Sequence, residues 1–142
     1  MTMTEKFKIV TTFIRDMSSE TPNVETYFFA KNNITKYQLN INIDTKPIKN
    51  QHVEVDTVFK FQDIEENTKK AYFEMTYVTV VRVNNDVKER KELEKILLCD
   101  VQNKIYPHLE KSFLNLLHNS GYPQVKFDKK INFEALYNQK QN

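Results

Sequence analysis

From Tyr37 to Asp44 the chain alternates without a fault: Tyr37, Leu39, Ile41 and Ile43 are apolar, while Gln38, Asn40, Asn42 and Asp44 are polar. Successive side chains on a strand point to opposite faces, so this run predicts a strand with one dry face and one wet face. The pattern returns twice. Val53, Val55, Phe59 and Phe61 oppose His52, Glu54, Asp56 and Lys60, and then Ala71, Phe73, Met75 and Tyr77 oppose Tyr72, Glu74 and Thr76. Phe7, Ile9, Thr11 and Phe13 predict one more strand, whose other face Val10 and Ile14 make partly apolar. After Tyr77 the alternation fails, because Val78, Val80 and Val81 make both faces apolar, the pattern of a strand covered on both sides. Pro47 and Asn50 break the first run, and Ile64 to Lys70 reads as a turn. Asn32-Asn33, Lys49-Asn50 and Asn84-Asn85 mark further turns, since Asn and Asp tolerate left-handed backbone.

In the second half the period changes. Asp86 with Glu89 predicts a capping box opening a short helix, with Leu93, Ile96 and Leu97 on one face. A longer helix is expected from near Pro107, a residue suited to a first turn, with Ile105, Leu109, Phe113, Leu116 and Leu117 as its stripe. Gly121 and Pro123 end it. Asn132 is placed to cap a closing helix that carries Phe133, Leu136 and Tyr137 on one side. The expectation is one α+β domain over residues 1–142: a four-stranded antiparallel sheet, then a short helix, a long helix and a C-terminal helix.

Most catalytic chemistry is absent. The single glycine, Gly121, excludes phosphate-cradling and dinucleotide loops, which need several. Lys and Arg number 21 against 19 Asp and Glu, too balanced for a nucleic-acid footprint. His108 and His118 are ten residues apart, about 280° around a helix, so they share no face for a metal; no metal or cofactor is expected. Cys99 follows two leucines and reads as a buried thiol, and with no disulfide partner it places the chain in a reducing, cytoplasmic setting. Glu54 and Asp56 share a strand face that reads as solvated rather than catalytic. No segment approaches the ~20 apolar residues of a membrane helix. Two features stand out: the rings Tyr27-Phe28-Phe29, read as a loop that either plugs the core or receives an apolar partner, and the polar run from Arg15 to Asn23, read as the connection leading to it.

That polar run resembles the signature segment of the SecB protein-export chaperone family, with Asp16, Ser18, Glu20, Pro22 and Asn23 matching and Ser19 departing from an aromatic. Ile105-Tyr106-Pro107, Gly121-Tyr122-Pro123 and the closing Ile131 to Tyr137 are similar to the family's long-helix opening, its Gly-aromatic-Pro and its final segment, in the same order. The resemblance covers roughly Phe7 to Tyr137 and is to a divergent member, with Met75 where an acid is expected and no zinc-binding tail after Tyr137. It implies a homotetramer, a dimer of dimers with long helices between sheets, whose subunit contacts would involve Glu74, Thr76, Val78, Val80, Leu109 and Phe113. It implies a holdase that catalyses no reaction, binding unfolded secretory preproteins through Tyr27, Phe28, Phe29, Leu136 and Tyr137. It implies delivery to the SecA motor through Asp16, Glu20 and Phe73. Three other readings compete: a SecB-like chaperone for one dedicated client such as an antitoxin, a small-ligand-binding or enzymatic α+β domain in which Tyr27, Phe28 and Phe29 close over a pocket, and a purely structural assembly protein.

Overall fold

In the computed structural model, which describes residues 5–63, 70–128 and 130–141, four strands form one antiparallel sheet in the order β1-β4-β3-β2. They are β1 (Phe7–Glu20), β2 (Tyr37–Pro47), β3 (His52–Asp63) and β4 (Tyr72–Val83). The expected α+β architecture is present, and β2 to β4 fall where the alternation put them. Most of the turn expected at Ile64 to Lys70 lies outside the described residues. The β2–β3 turn uses Asn50 (φ 62°) and Gln51 (φ 64°), the left-handed backbone expected of an asparagine turn.

Four local readings are corrected. The polar run Arg15 to Glu20 is not a connection but the second half of β1, paired to β4 as far as Glu20 opposite Tyr72. The rings Tyr27-Phe28-Phe29 lie not in a loop but in helix α1 (Val24–Asn32), which Asn23 starts by accepting a 2.8 Å hydrogen bond from the Thr26 amide. The two helices of the second half form one run: α2 (Arg90–Lys95), a π turn (Ile96–Asp100) and α3 (Val101–Asn119). Pro107 sits inside α3, and α2 starts after Glu89 with no capping side chain, so Asp86 and Glu89 form no capping box. The closing helix α4 (Phe133–Gln141) is capped as expected, with the Ala135 amide 3.0 Å from Asn132 Oδ1.

One face of the sheet carries the core. Val55, Phe59, Phe73, Met75 and Val81 point toward α3, which lays Ile105, Leu109, Phe113 and Leu117 on them at four-residue spacing. Phe59 meets Phe113 edge-on at 5.6 Å between centroids, and Phe73 meets Tyr122 the same way at 5.3 Å. The other face is open and carries Glu54, Asp56, Lys60, Glu74, Thr76, Val78 and Val80, on β3 and β4.

Helix α3 ends in a Schellman motif. The Tyr122 amide donates to the Leu117 carbonyl (3.0 Å) and the Gly121 amide to that of His118 (3.2 Å), with Gly121 at φ 105°. A β-carbon at Gly121 would lie 2.8 Å from Tyr27 Cε1, on a ring already tethered by its hydroxyl to the Gly121 carbonyl at 2.7 Å. Gly121→Ala is therefore expected to cost about 1–3 kcal/mol through backbone strain alone. It should also loosen α1, read as faster amide exchange from Val24 to Asn32 at temperatures where the sheet remains protected.

Candidate functional site: an apolar track and a polar sheet face

Helix α1 is built the wrong way round for stability. Its buried residues are Thr26 and Ala30, four apart and small, while Phe28 is 55% exposed and Val24 70%. Tyr27 anchors the helix, 5.2 Å from the Tyr122 ring and 5.4 Å from that of Phe28; Phe29 is half-buried. Capping and the Tyr27 tether hold α1 in place, which leaves the Phe28 ring free to meet a partner.

The structure does not bring Leu136 and Tyr137 to these rings. Tyr27 lies against the C-terminal end of α3, whereas the Tyr137 hydroxyl donates to the Lys91 carbonyl (3.3 Å) on α2, ahead of the N-terminal end of α3. At 1.5 Å per residue, the helix between them is about 28 Å long. Two recesses bridge that distance. One, of about 300 Å³, is lined by Ile34, Tyr37, Leu39, Phe61, Val125 and Phe127. The other, of 500 Å³, is lined by Tyr106, Pro107, Phe127, Ile131 and Phe133, with Glu110 and Lys130 on its rim. Phe127 is the wall they share, its ring 5.6 Å from Phe61 and 6.2 Å from Phe113. The Tyr106 hydroxyl is buried with no hydrogen-bond partner among the described residues. Burial, and after it the Glu110 carboxylate, push its pKa upward, so it stays a neutral donor. Sequence reasoning missed Phe127, Tyr106 and Ile131; the available signal was Phe127 itself, a lone ring in the polar stretch between Pro123 and Asn132.

On the open sheet face the register aligns Asp16 with Thr76, Ser18 with Glu74 and Glu20 with Tyr72. Asp16, Glu20 and Glu74 thus share one surface, and Asp16 and Glu20 are exposed. The Tyr72 hydroxyl donates to Glu74, and burial, then Glu74, raise its pKa to about 12. Phe73 is on the opposite face, fully buried under Tyr122, and offers no surface to SecA or any other partner. Leu109 and Phe113 are likewise fully buried against the chain's own sheet, and Val78 is only 1% exposed, so these three have no area left for a second subunit. Glu74, Thr76 and Val80 keep part of theirs. The largest exposed apolar groups of the sheet are on β1: Val10, Phe13, Ile14 and Met17.

None of the catalytic candidates is arranged for chemistry. Glu54 and Asp56 clamp Arg15 at 2.7 and 3.0 Å. Burial works to raise the Asp56 pKa, but its hydrogen-bonded neighbours Glu54 and Arg15 and the charges of Arg15 and Lys46 outweigh it and hold it low. Cys99 is buried and its pKa is pushed up, chiefly by burial, which disfavours the thiolate. Among the described residues no group of His, Cys, Asp and Glu is placed to hold a metal, and no helix is long and apolar enough to cross a membrane.

A four-stranded sheet with helices on one face and an apolar track along them is the scaffold of a SecB-like chaperone. The same fold is seen in a SecB-like chaperone of Mycobacterium tuberculosis in complex with a peptide from an antitoxin, at a TM-score of 0.63 and 10% identity over 88% of this chain and 91% of that one. A family sequence model described as preprotein translocase subunit SecB matches residues 2–142. A putative protein-export protein SecB of Pelagibacter ubique is 56% identical over 140 residues, covering 99% of this chain and 100% of the relative. The protein-export protein SecB of Buchnera aphidicola is 29% identical, covering 94% of this chain and 91% of its own. The chain belongs to the SecB family, which is not an enzyme family, and its role is that of a chaperone in protein export.

Proposed function

We propose that this chain is a holdase that catalyses no reaction, holds unfolded secretory preproteins along the track from α1 to α4, and passes them to SecA in the cytoplasm. The observation that carries the reading is the inverted helix α1, with small residues inward and Phe28 outward. Rings supply large contact area without demanding a sequence, which suits a promiscuous holder. Tyr27, Phe28 and Phe29 form one end of the client surface, Leu136 and Tyr137 the other, and an extended segment spans them across Phe127. The experiment is a titration with one polypeptide in two states, chemically unfolded and native. Binding of the unfolded state alone supports the holdase; binding of neither state removes it and favours a small-ligand domain.

Assembly as a homotetramer would cover Val10, Phe13, Ile14 and Met17 of β1, together with Glu74, Thr76 and Val80. A solution mass near four times the 17.0 kDa of the chain is expected. Asp16 and Glu20 are the SecA contacts in this reading. Asp16→Lys with Glu20→Lys reverses two exposed charges, and should abolish SecA binding in a pull-down while client affinity stays within about twofold, because rim charges act mainly on their own partner. Retained SecA binding would exclude these acids.

A second reading, one dedicated client such as an antitoxin, is favoured by the antitoxin peptide held by the Mycobacterium tuberculosis chaperone of the same fold. Comparable affinities for several unrelated unfolded chains would rule it out.

A further inference from the structure

We propose that the end of the open sheet face where β1, β3 and β4 meet is a binding site for a phosphate group. Lys8 stands directly opposite Arg82 across β1 and β4, and Arg82 directly opposite His52 across β4 and β3. Like charges opposed on antiparallel strands repel. The three other cations of this face are matched: Arg15 and Lys46 by Glu54 and Asp56, and Lys60 by Glu74. Lys8 and Arg82 form no ion pair among the described residues.

Between them lies a recess of 310 Å³, with Gln51, Asn84 and Asn85 on its walls and Glu5 as its single acid. The Glu5 carboxylate is turned to Lys104, 3.7 Å away, so its charge is already matched from outside the recess. His52 is fixed by its Nδ1, which lies 2.8 Å from the Asn50 carbonyl and donates to it, leaving Nε2 as the free ring nitrogen. Two cations side by side, with no ion pair among the described residues, fit a dianion better than a single carboxylate. A guanidinium adds a planar fork that takes two phosphate oxygens at once, and Gln51 and Asn85 bring neutral amide donors.

The phosphate could be soluble or borne by an anionic lipid headgroup, and the test separates the two. The full chain is titrated with inorganic phosphate at constant ionic strength, following amide shifts and Tm. It is then floated with phosphatidylcholine vesicles with and without phosphatidylglycerol, in the presence and absence of phosphate. Saturable shifts centred on Lys8 and Arg82 are expected, weakened about tenfold or more by Arg82→Gln, the loss of one charged pairing, and unaffected by Lys49→Gln on the neighbouring turn. Lys8→Gln should raise Tm in phosphate-free buffer and abolish its response to phosphate. Flotation on anionic vesicles that phosphate displaces identifies a lipid headgroup as the source; soluble binding without flotation identifies a free phosphate compound. An equal response of wild type and Arg82→Gln to phosphate, or no binding in either arm, overturns the proposal.

Discussion

Phe73→Ala is expected to cost about 3–5 kcal/mol of folding stability, the range for removing a fully buried aromatic ring. Against the 5–15 kcal/mol that roughly holds a domain of this kind together, such a loss brings the chain close to unfolding. The cause is local: Phe73 has no exposed surface, its ring is edge-on to Tyr122 and 6.3 Å from Phe61, and Tyr122 in turn supports Tyr27. Denaturant titration checks the result. A Phe73→Leu variant should recover most of the loss, because it refills much of the volume. The outcome separates two roles the same residue could have had. A Phe73→Ala protein that unfolds at the wild-type midpoint yet fails to bind SecA would restore it as a surface contact.

Phe28→Ala with Phe29→Ala should weaken binding of unfolded chains by about one to two powers of ten. Losing a buried aromatic anchor from an interface costs about 2 kcal/mol or more, and a tenfold change in affinity is 1.4 kcal/mol. Stability should change far less than for Phe73, because Phe28 is 55% exposed and α1 is held by Asn23, Thr26, Ala30 and the Tyr27 tether. Fluorescence anisotropy with a labelled unfolded polypeptide gives the affinity, and thermal melting of the same sample gives the control. Unchanged affinity would return the rings to a structural role and move the client surface toward Phe127 and Tyr106.

Where the period held, the sequence was a good guide to the fold. Tyr37 to Ile43, Val53 to Phe61 and Phe73 to Tyr77 kept their alternation in the folded sheet, since each has one face under helices and one in the open. The pattern was lost on β1 for a physical reason: register shifts at Ile9/Thr11 and Ile14/Asp16 each exchange the faces, so no single phase runs the length of the strand. An edge strand also needs fewer buried residues, so Arg15 to Glu20 read as a loop. Helix α1 was illegible because Val24 and Phe28 face away from the core while the small Thr26 and Ala30 face it, which leaves no amphipathic stripe to detect. The π turn at Ile96–Asp100 shifts the helical phase in the same way, dividing one helical run into two apparent helices. Of the site, the rings of α1 were visible as composition. The track through Phe127 was not, because its lining comes from four separate stretches of chain that only the fold assembles. The role carried onto Phe73 by resemblance fell one residue from the side chain that shares the open face with Glu20, which is Tyr72.

The inverted packing of α1 separates two kinds of selection on neighbouring residues. Thr26, Ala30 and the Tyr27–Gly121 tether answer to folding, whereas position 28, in the role proposed for it, answers to what is bound. Side chains at 28 can therefore be exchanged (ring for ring, aromatic for aliphatic, or apolar for charged) with little penalty in the folded state, since exposed substitutions typically move stability by only about 0.5 kcal/mol. A library at this one position, extended to Val24 one turn earlier, would change which chains are captured while leaving the scaffold intact. For an engineer it is an adjustable surface on a fixed frame; for a lineage adapting to a different set of exported proteins, it is a short mutational path that does not pass through misfolding.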